Sequence, residues 1–322
     1  MSGDDSEQPT FPGFRPLGDL MPKVSRPTPT QVRVIQAAAS IRENHSPAVV
    51  YQHTVLCQTC LPYRNPGDDV RVWDRQNGRI SLRIRAGEAL HPERGWVDVG
   101  LPYGPKPRLI LSYLNTQALV RQSPDIEVEE SLTAFARRIG LDANGRDLRT
   151  IKDQLARLAA ADLRFGVPTS SDTAKTFKGQ IVTEFDLWFA KDDRQRVLWP
   201  TIVRLDPAYF ESLMAHAVPL DERALGALSH SAMALDMYAW LAQRLHRIHP
   251  REEAFIPWAS LRDQFGFGYA NMRKFKQVFR TALDQVLAVY PAARVSLDRR
   301  GMTARYSPPP VLRRAVRALP KP

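Results

Sequence analysis

Between residues 271 and 280 the chain carries Asn271, Arg273, Lys274, Lys276, Gln277 and Arg280. Amide and guanidinium groups pair with base edges, and cationic side chains neutralise phosphates, so the chemistry on offer is nucleic-acid recognition. A helix predicted from Ala270 to Tyr290 would gather Phe275, Val278, Phe279, Ala282, Val286 and Val289 on one apolar face and leave the basic residues outside. The first turns of a reading helix reach base edges, so Asn271, Arg273, Lys274 and Gln277 are expected there, with Lys276 and Arg280 on phosphates.

The neighbouring segments look built to position that helix. A short helix, Trp258 to Phe265, opens with Pro257 at its first position, and Gly266-Phe267-Gly268 supplies a tight turn. After Pro291 a hairpin around Arg299, Arg300 and Gly301 adds two more cations. Helix, turn, long helix and basic hairpin are the ordered parts of a winged helix. Residues 270–322 hold twelve Lys or Arg against Asp284 and Asp298, so most of the chain's net charge of +11 lies in its last sixth.

A second helix with a charged face is predicted from Arg146 to Leu163. Leu148, Ile151, Leu155 and Leu158 face one way and Arg146, Arg149 and Arg157 the other, with Lys152 at the margin. Arg146, Arg149, Thr150 and Lys152 are its candidate DNA contacts. The alternation of Ile181, Thr183, Phe185 and Leu187 suggests a long hairpin whose basic tip brings Lys175 and Lys178 to the DNA backbone or minor groove. Before this helix lie one from Pro107 (Leu111, Leu114, Ala118), a strand at Ile126 and Val128, and a helix capped by Ser131 and stopped by Gly140. Its second counterpart has a helix through Leu235, Tyr238, Ala242 and Leu245 and a strand at Phe255 and Ile256. The order of elements repeats although the residues do not align.

The expected fold is α+β, two tandem winged-helix domains behind a disordered tail and a small strand-rich N-terminal region. Its parts are a proline-rich flexible tail (1–29), a short helix plus strands (30–100), a first winged helix (101–217), a second (218–310) and a basic tail (311–322). In the 30–100 part, Val32, Ile35 and Ala39 mark a helix face, and Asn77-Gly78 precedes alternating Ile80, Leu82 and Ile84 as a hairpin. The sheet edge of Val70 to Arg85 suggests an oligomerisation surface.

Several chemistries find no support. His53, Cys57 and Cys60 supply three potential zinc ligands where a closed site takes four, so buried cysteines in a strand are the preferred reading. His246 and His249 lack a following general base, and the chain has no phosphate-binding Gly-x-x-x-x-Gly-Lys-Ser/Thr loop. No catalytic residue, metal or cofactor is expected. An origin-nicking enzyme would need a tyrosine such as Tyr103 or Tyr209, and it stands as an alternative beside a winged-helix transcriptional regulator. The acidic N-terminus and the lack of a long apolar run point to a cytoplasmic protein with no membrane partner.

One ordered set of segments is familiar. It runs through Leu56-Cys57-Gln58-Thr59-Cys60-Leu61-Pro62-Tyr63-Arg64, Gly100-Leu101-Pro102-Tyr103-Gly104, Pro107-Arg108-Leu109, Ser131-Leu132 to Phe135, and Lys152-Asp153-Gln154-Leu155-Ala156-Arg157-Leu158. Ile256-Pro257-Trp258, Gln264-Phe265-Gly266, Phe275-Lys276 with Phe279, and Tyr290-Pro291 complete it. Over about residues 45 to 312 the chain resembles the plasmid-encoded RepA replication initiator family. The resemblance implies a non-enzymatic initiator that binds repeated sites in double-stranded origin DNA, aids duplex opening and recruits the host replication initiator and replicative helicase. It also implies a DNA-binding monomer that exchanges with a homodimer, and two long helices that read DNA.

Overall fold

The computed structural model describes residues 27–43, 48–91, 93–129, 131–168, 174–184 and 202–311. The expected tails, and the positions of Phe185 and Leu187, fall largely or wholly outside these residues.

The chain opens with α1 (Pro29–Glu43), β1 (Val49–His53), α2 (Thr54–Gln58), β2 (Val72–Asn77), β3 (Ile80–Arg85), β4 (Glu88–His91) and β5 (Gly95–Asp98). The two-residue turn between β2 and β3 forms because Gly78 adopts φ +57°, which costs glycine little. On α1 the expected face is reversed: Val32 and Ile35 are 37% and 60% exposed, while Val34 and Ala38 are buried. The reason is tertiary, since this helix packs against two helices late in the chain, α7 and α10 as defined below.

Next come α3 (Pro105–Arg121), β6 (Asp125–Glu127), α4 (Leu132–Arg138), α5 (Gly145–Ala160), β7 (Asp162–Pro168), β8 (Ala174–Gln180), β9 (Val182–Glu184) and β10 (Ile202–Leu205). Ser131 caps α4 by accepting from the Ala134 amide, and Asn144 caps α5 by accepting from that of Asp147. The second of these helices ends three residues earlier than its apolar spacing suggested. Leu163 belongs to β7, where it pairs with Ile84. The remaining elements are α6 (Pro207–His216), β11 (Ala217–Asp221), α7 (Glu222–Leu228), α8 (Ala232–Arg244), β12 (Glu253–Pro257), α9 (Trp258–Phe265), α10 (Met272–Val289), β13 (Val295–Leu297) and β14 (Gly301–Arg305). Pro257 is the N-cap of α9 and the last residue of β12, one place before the expected position.

The architecture is α+β, with several small antiparallel sheets among helices. Two of its parts follow one plan. The order α3, β6, α4, α5, β9, β10 matches α8, β12, α9, α10, β13, β14, and in both three-stranded sheets the last strand lies between the other two: β6-β10-β9 and β12-β14-β13. The first part differs by an inserted hairpin, β7–β8, which joins β2 and β3 in a four-stranded sheet of order β2-β3-β7-β8. Lys178 therefore sits within a strand opposite Arg164, and Lys175 lies opposite Val167. The expected hairpin is present, but both lysines lie in its second strand and not at its tip, because pairing with β7 begins at Ala174; residues 169–173 are outside the described residues.

Pairing also crosses the expected divisions. β3 bonds to β7, and β1 bonds to β11 from Val49↔Asp221 to His53↔Ala217. A single buried cluster runs from Val34 through Leu114, Leu155 and Tyr238 to Met302. Where α3 meets α8, Arg108 makes a buried two-pronged ion pair with Asp236, at 2.6 and 2.7 Å. The same guanidinium donates to the carbonyls of Gly104 at 2.6 Å and Leu61 at 2.8 Å, so its charge is taken up on several sides.

Candidate nucleic-acid interface

α10 is amphipathic because Phe275, Phe279, Ala282, Leu283, Val286 and Val289 recur at helical intervals and are all buried. Trp258 meets Phe279 edge-on at 5.5 Å, and Phe265 meets Phe279 at 5.8 Å. These rings press α9 onto α10 and fix which side of α10 faces water. Arg273, Lys274, Gln277 and Arg280 are exposed, and Lys276 is half-buried.

Asn271 has a definite structural role. Its Oδ1 accepts from the amides of Arg273 (2.8 Å) and Lys274 (3.4 Å), satisfying backbone donors that the first turn leaves open. Lys274 donates to Gln277 Oε1 at 3.3 Å, so these two expected base contacts form one polar pair. Lys276 Nζ lies 4.8 Å from the centroid of the Trp258 ring and Arg280 Cζ 5.5 Å from it. One indole thus fixes both expected phosphate contacts.

The β13–β14 turn is tied to the start of α9. The Trp258 amide donates to the Arg300 carbonyl and its indole Nε1 to the Asp298 carbonyl, both at 3.1 Å. Asp298 Oδ1 accepts from the amides of Arg300 (2.7 Å) and Gly301 (2.8 Å). Those backbone hydrogen bonds hold the Asp298 carboxyl below the usual carboxylate range. Gly301 is required here, since an added Cβ would collide with the Ile256 carbonyl oxygen. Arg299 and Arg300 are both exposed, and Arg300 Cζ lies 5.2 Å from the Phe255 ring centroid.

In the first part, Arg146 and Arg149 are exposed near the start of α5, while Thr150 donates to the Arg146 carbonyl at 2.9 Å and Lys152 is half-buried. Asp147 is engaged by Lys106 at 2.9 Å, which pins the start of α5 to α3. Arg157, from the same charged face, turns inward to Asp153 and stacks 5.2 Å from the Tyr103 ring centroid. The α10 site thus gathers its expected residues and those of the β13–β14 turn on linked elements. The α5 residues share one helix, with Lys175 and Lys178 on the separate β7–β8 hairpin.

Sequence reasoning missed the contributions of Phe255 and Trp258 to this surface. Their signal was the aromatic pair flanking Ile256-Pro257, immediately before a helix, next to a basic helix and a basic hairpin.

His53 and the cysteines are buried. Cys57 lies on α2, not in a strand as expected, and burial pushes both thiols well up. His53 Nδ1 accepts from the Val55 amide at 3.2 Å, and its Nε2 lies 3.0 Å from Ser212 Oγ. Burial, reinforced by His216, lowers its pKa to about 3 and keeps the ring neutral. Among the described residues no group of three or more His, Cys, Asp or Glu could hold a metal ion. Tyr209 is fully buried, and its hydroxyl donates to Asn115 Oδ1 at 3.0 Å, out of reach of a phosphodiester. No helix among the described residues is long and apolar enough to cross a membrane.

A crystal structure of a selenomethionine derivative of domains 2 and 3 of RctB is similar in fold, with a TM-score of 0.50 and 13% identity over 79% of this chain and 98% of that one. A second RctB domain 2–3 structure aligns with a TM-score of 0.48 and 12% identity, over 78% and 94% of the two chains. No curated protein sequence matches the chain. Residues 101–260 match the family described as plasmid encoded RepA protein, a span that takes in α3 to α8 and the start of α9. Over that central stretch, which includes α5, the chain belongs to the plasmid-encoded RepA family.

Proposed function

We propose that the protein is a plasmid replication initiator that binds repeated sites in double-stranded origin DNA through two tandem winged helices, 101–217 and 218–310. The observation that carries this reading is α10: a helix with an aromatic inner face, an outer face bearing Arg273, Lys274, Gln277 and Arg280, and a basic β-turn bonded to the helix in front of it. The matching strand order of the two sheets supports a second reading helix, α5, with Arg146 and Arg149 outermost. Initiation in this reading is non-enzymatic. Duplex opening draws on DNA bending and on the host initiator and helicase that the protein recruits, and a homodimer exchanges with the bound form.

The test is protection of the DNA flanking the encoding gene. Two helices in successive major grooves should protect about 20 base pairs. With roughly six to ten phosphates neutralised, affinity should fall by about 10³ to 10⁵ between 50 and 200 mM salt. Protection that ignores sequence, or a flat salt response, would overturn the proposal. Relaxed circles and a covalent adduct on supercoiled origin DNA with divalent metal would identify a nickase instead. Failure of the chain and an origin fragment to sustain a plasmid in cells, despite specific binding, would favour a transcriptional regulator.

A further inference from the structure

The aromatic residues at the two ends of Phe255-Ile256-Pro257-Trp258 each lie under cations. Trp258 lies beneath Lys276 and Arg280 of α10, and Phe255 lies beneath Arg300 of the β13–β14 turn. Trp258 is also a core residue, packed edge-on against Phe279, so its burial needs no further cause. Phe255 is different. It is 45% exposed on β12, an outer strand of its sheet, where a large apolar side chain gains little from burial.

We propose that Phe255 is a positioning residue of the DNA-binding surface, holding the Arg300 guanidinium where the turn presents it to the duplex; this rests on the DNA-binding reading given above. The backbone of Arg300 is already fixed. Its amide donates to Asp298 Oδ1 at 2.7 Å and its carbonyl accepts from the Trp258 amide at 3.1 Å. What remains loose is a long side chain, whose ordering on DNA costs entropy. A ring 5.2 Å from Cζ restricts that freedom through cation–π attraction, which does not consume the N–H groups that phosphate or the minor groove would take. Arg299 is exposed beside it, and no aromatic ring is seen against it among the described contacts. Arg300 is therefore the preorganised cation of the turn.

The experiment is a double-mutant cycle in the full chain with a protected origin fragment: wild type, Phe255→Ala, Arg300→Ala and both together, with Phe255→Leu as a ring-free apolar control. Affinity is measured across a salt series, with thermal unfolding of each variant alongside. Phe255→Ala should weaken binding roughly 2- to 5-fold, the range for an exposed cation–π contact. Phe255→Leu should weaken it similarly, because it covers β12 but offers no ring face. Arg300→Ala should lower the slope of log affinity against log salt by about 0.9, the loss of one phosphate contact. Adding Phe255→Ala to Arg300→Ala should then change nothing further. Independent losses in the double variant, or full affinity in Phe255→Leu, would overturn the inference while leaving DNA binding intact. If Phe255→Ala unfolds early, Phe255→Leu carries the decision. Absence of specific binding by wild type sinks the DNA-binding reading, and the inference with it.

Discussion

Asn271 shows how a residue expected to read bases can first be needed to build the helix that carries it. Its Oδ1 holds the amides of Arg273 and Lys274, so Asn271→Ala should cost about 1 kcal/mol of stability through the lost cap. Asn271→Ser keeps a capping oxygen and should restore the melting temperature. If it also restores site preference, Asn271 is a cap only; if preference relaxes, its amide also contacts a base. Arg273 and Lys274 are exposed and outside the core, so replacing both by Ala should leave unfolding almost unchanged. Binding should lose about 1 to 3 kcal/mol for each base contact removed, and specificity should relax. An unchanged site preference on randomised DNA would reduce α10 to a structural helix.

At the scale of elements, the β13–β14 turn should respond to pH through Asp298. Its carboxyl is held low by the Gly301 and Arg300 amides, so the stabilisation is fully present above the unfolded value near ~3.9. It is lost as pH falls through the lower folded value. Amide exchange at Gly301 should accelerate on acidification, and Asp298→Asn should remove most of that response; an identical pH response in the variant would place the cause elsewhere. How legible such elements were depended on whether their causes were local. The α10 stripe, the caps Ser131 and Gly266, and the Gly78 turn are set by residues within a few positions, and the sequence spacing located each of them. The buried side of α1 depends on α7 and α10, far away in the chain, so its own mixed pattern pointed to Val32 and Ile35. Leu163 kept the helical spacing of α5 but was claimed by pairing with β3, and Lys175 and Lys178 were placed at a tip because the alternation begins at Ile181, whereas pairing with β7 already begins at Ala174. In the site, the cations were legible as charge on a helix, whereas the rings beneath them emerged only when β12, α9 and α10 were brought together.

Across the whole molecule, Arg108 and Asp236 join the two similarly built parts through a buried ion pair. Removing either partner leaves a buried charge uncompensated, so Arg108→Ala or Asp236→Ala should cost about 3 to 5 kcal/mol in chemical denaturation. Replacing both, as Arg108→Met with Asp236→Leu, should recover much of that loss. A double variant as unstable as the singles would mean that the bonds from Arg108 to the Gly104 and Leu61 carbonyls matter more than the ion pair.

The β1–β11 ladder has a further consequence during synthesis. Val49–His53 leaves the ribosome long before Ala217–Asp221 is translated, and at about 5 to 20 residues per second the nascent strand stays without its mate for on the order of ten seconds or more. Premature termination before Ala217 would strand Val50 and Tyr51, two side chains that the finished protein keeps from water, and such fragments should be cleared or aggregate while the full-length product closes its ladder.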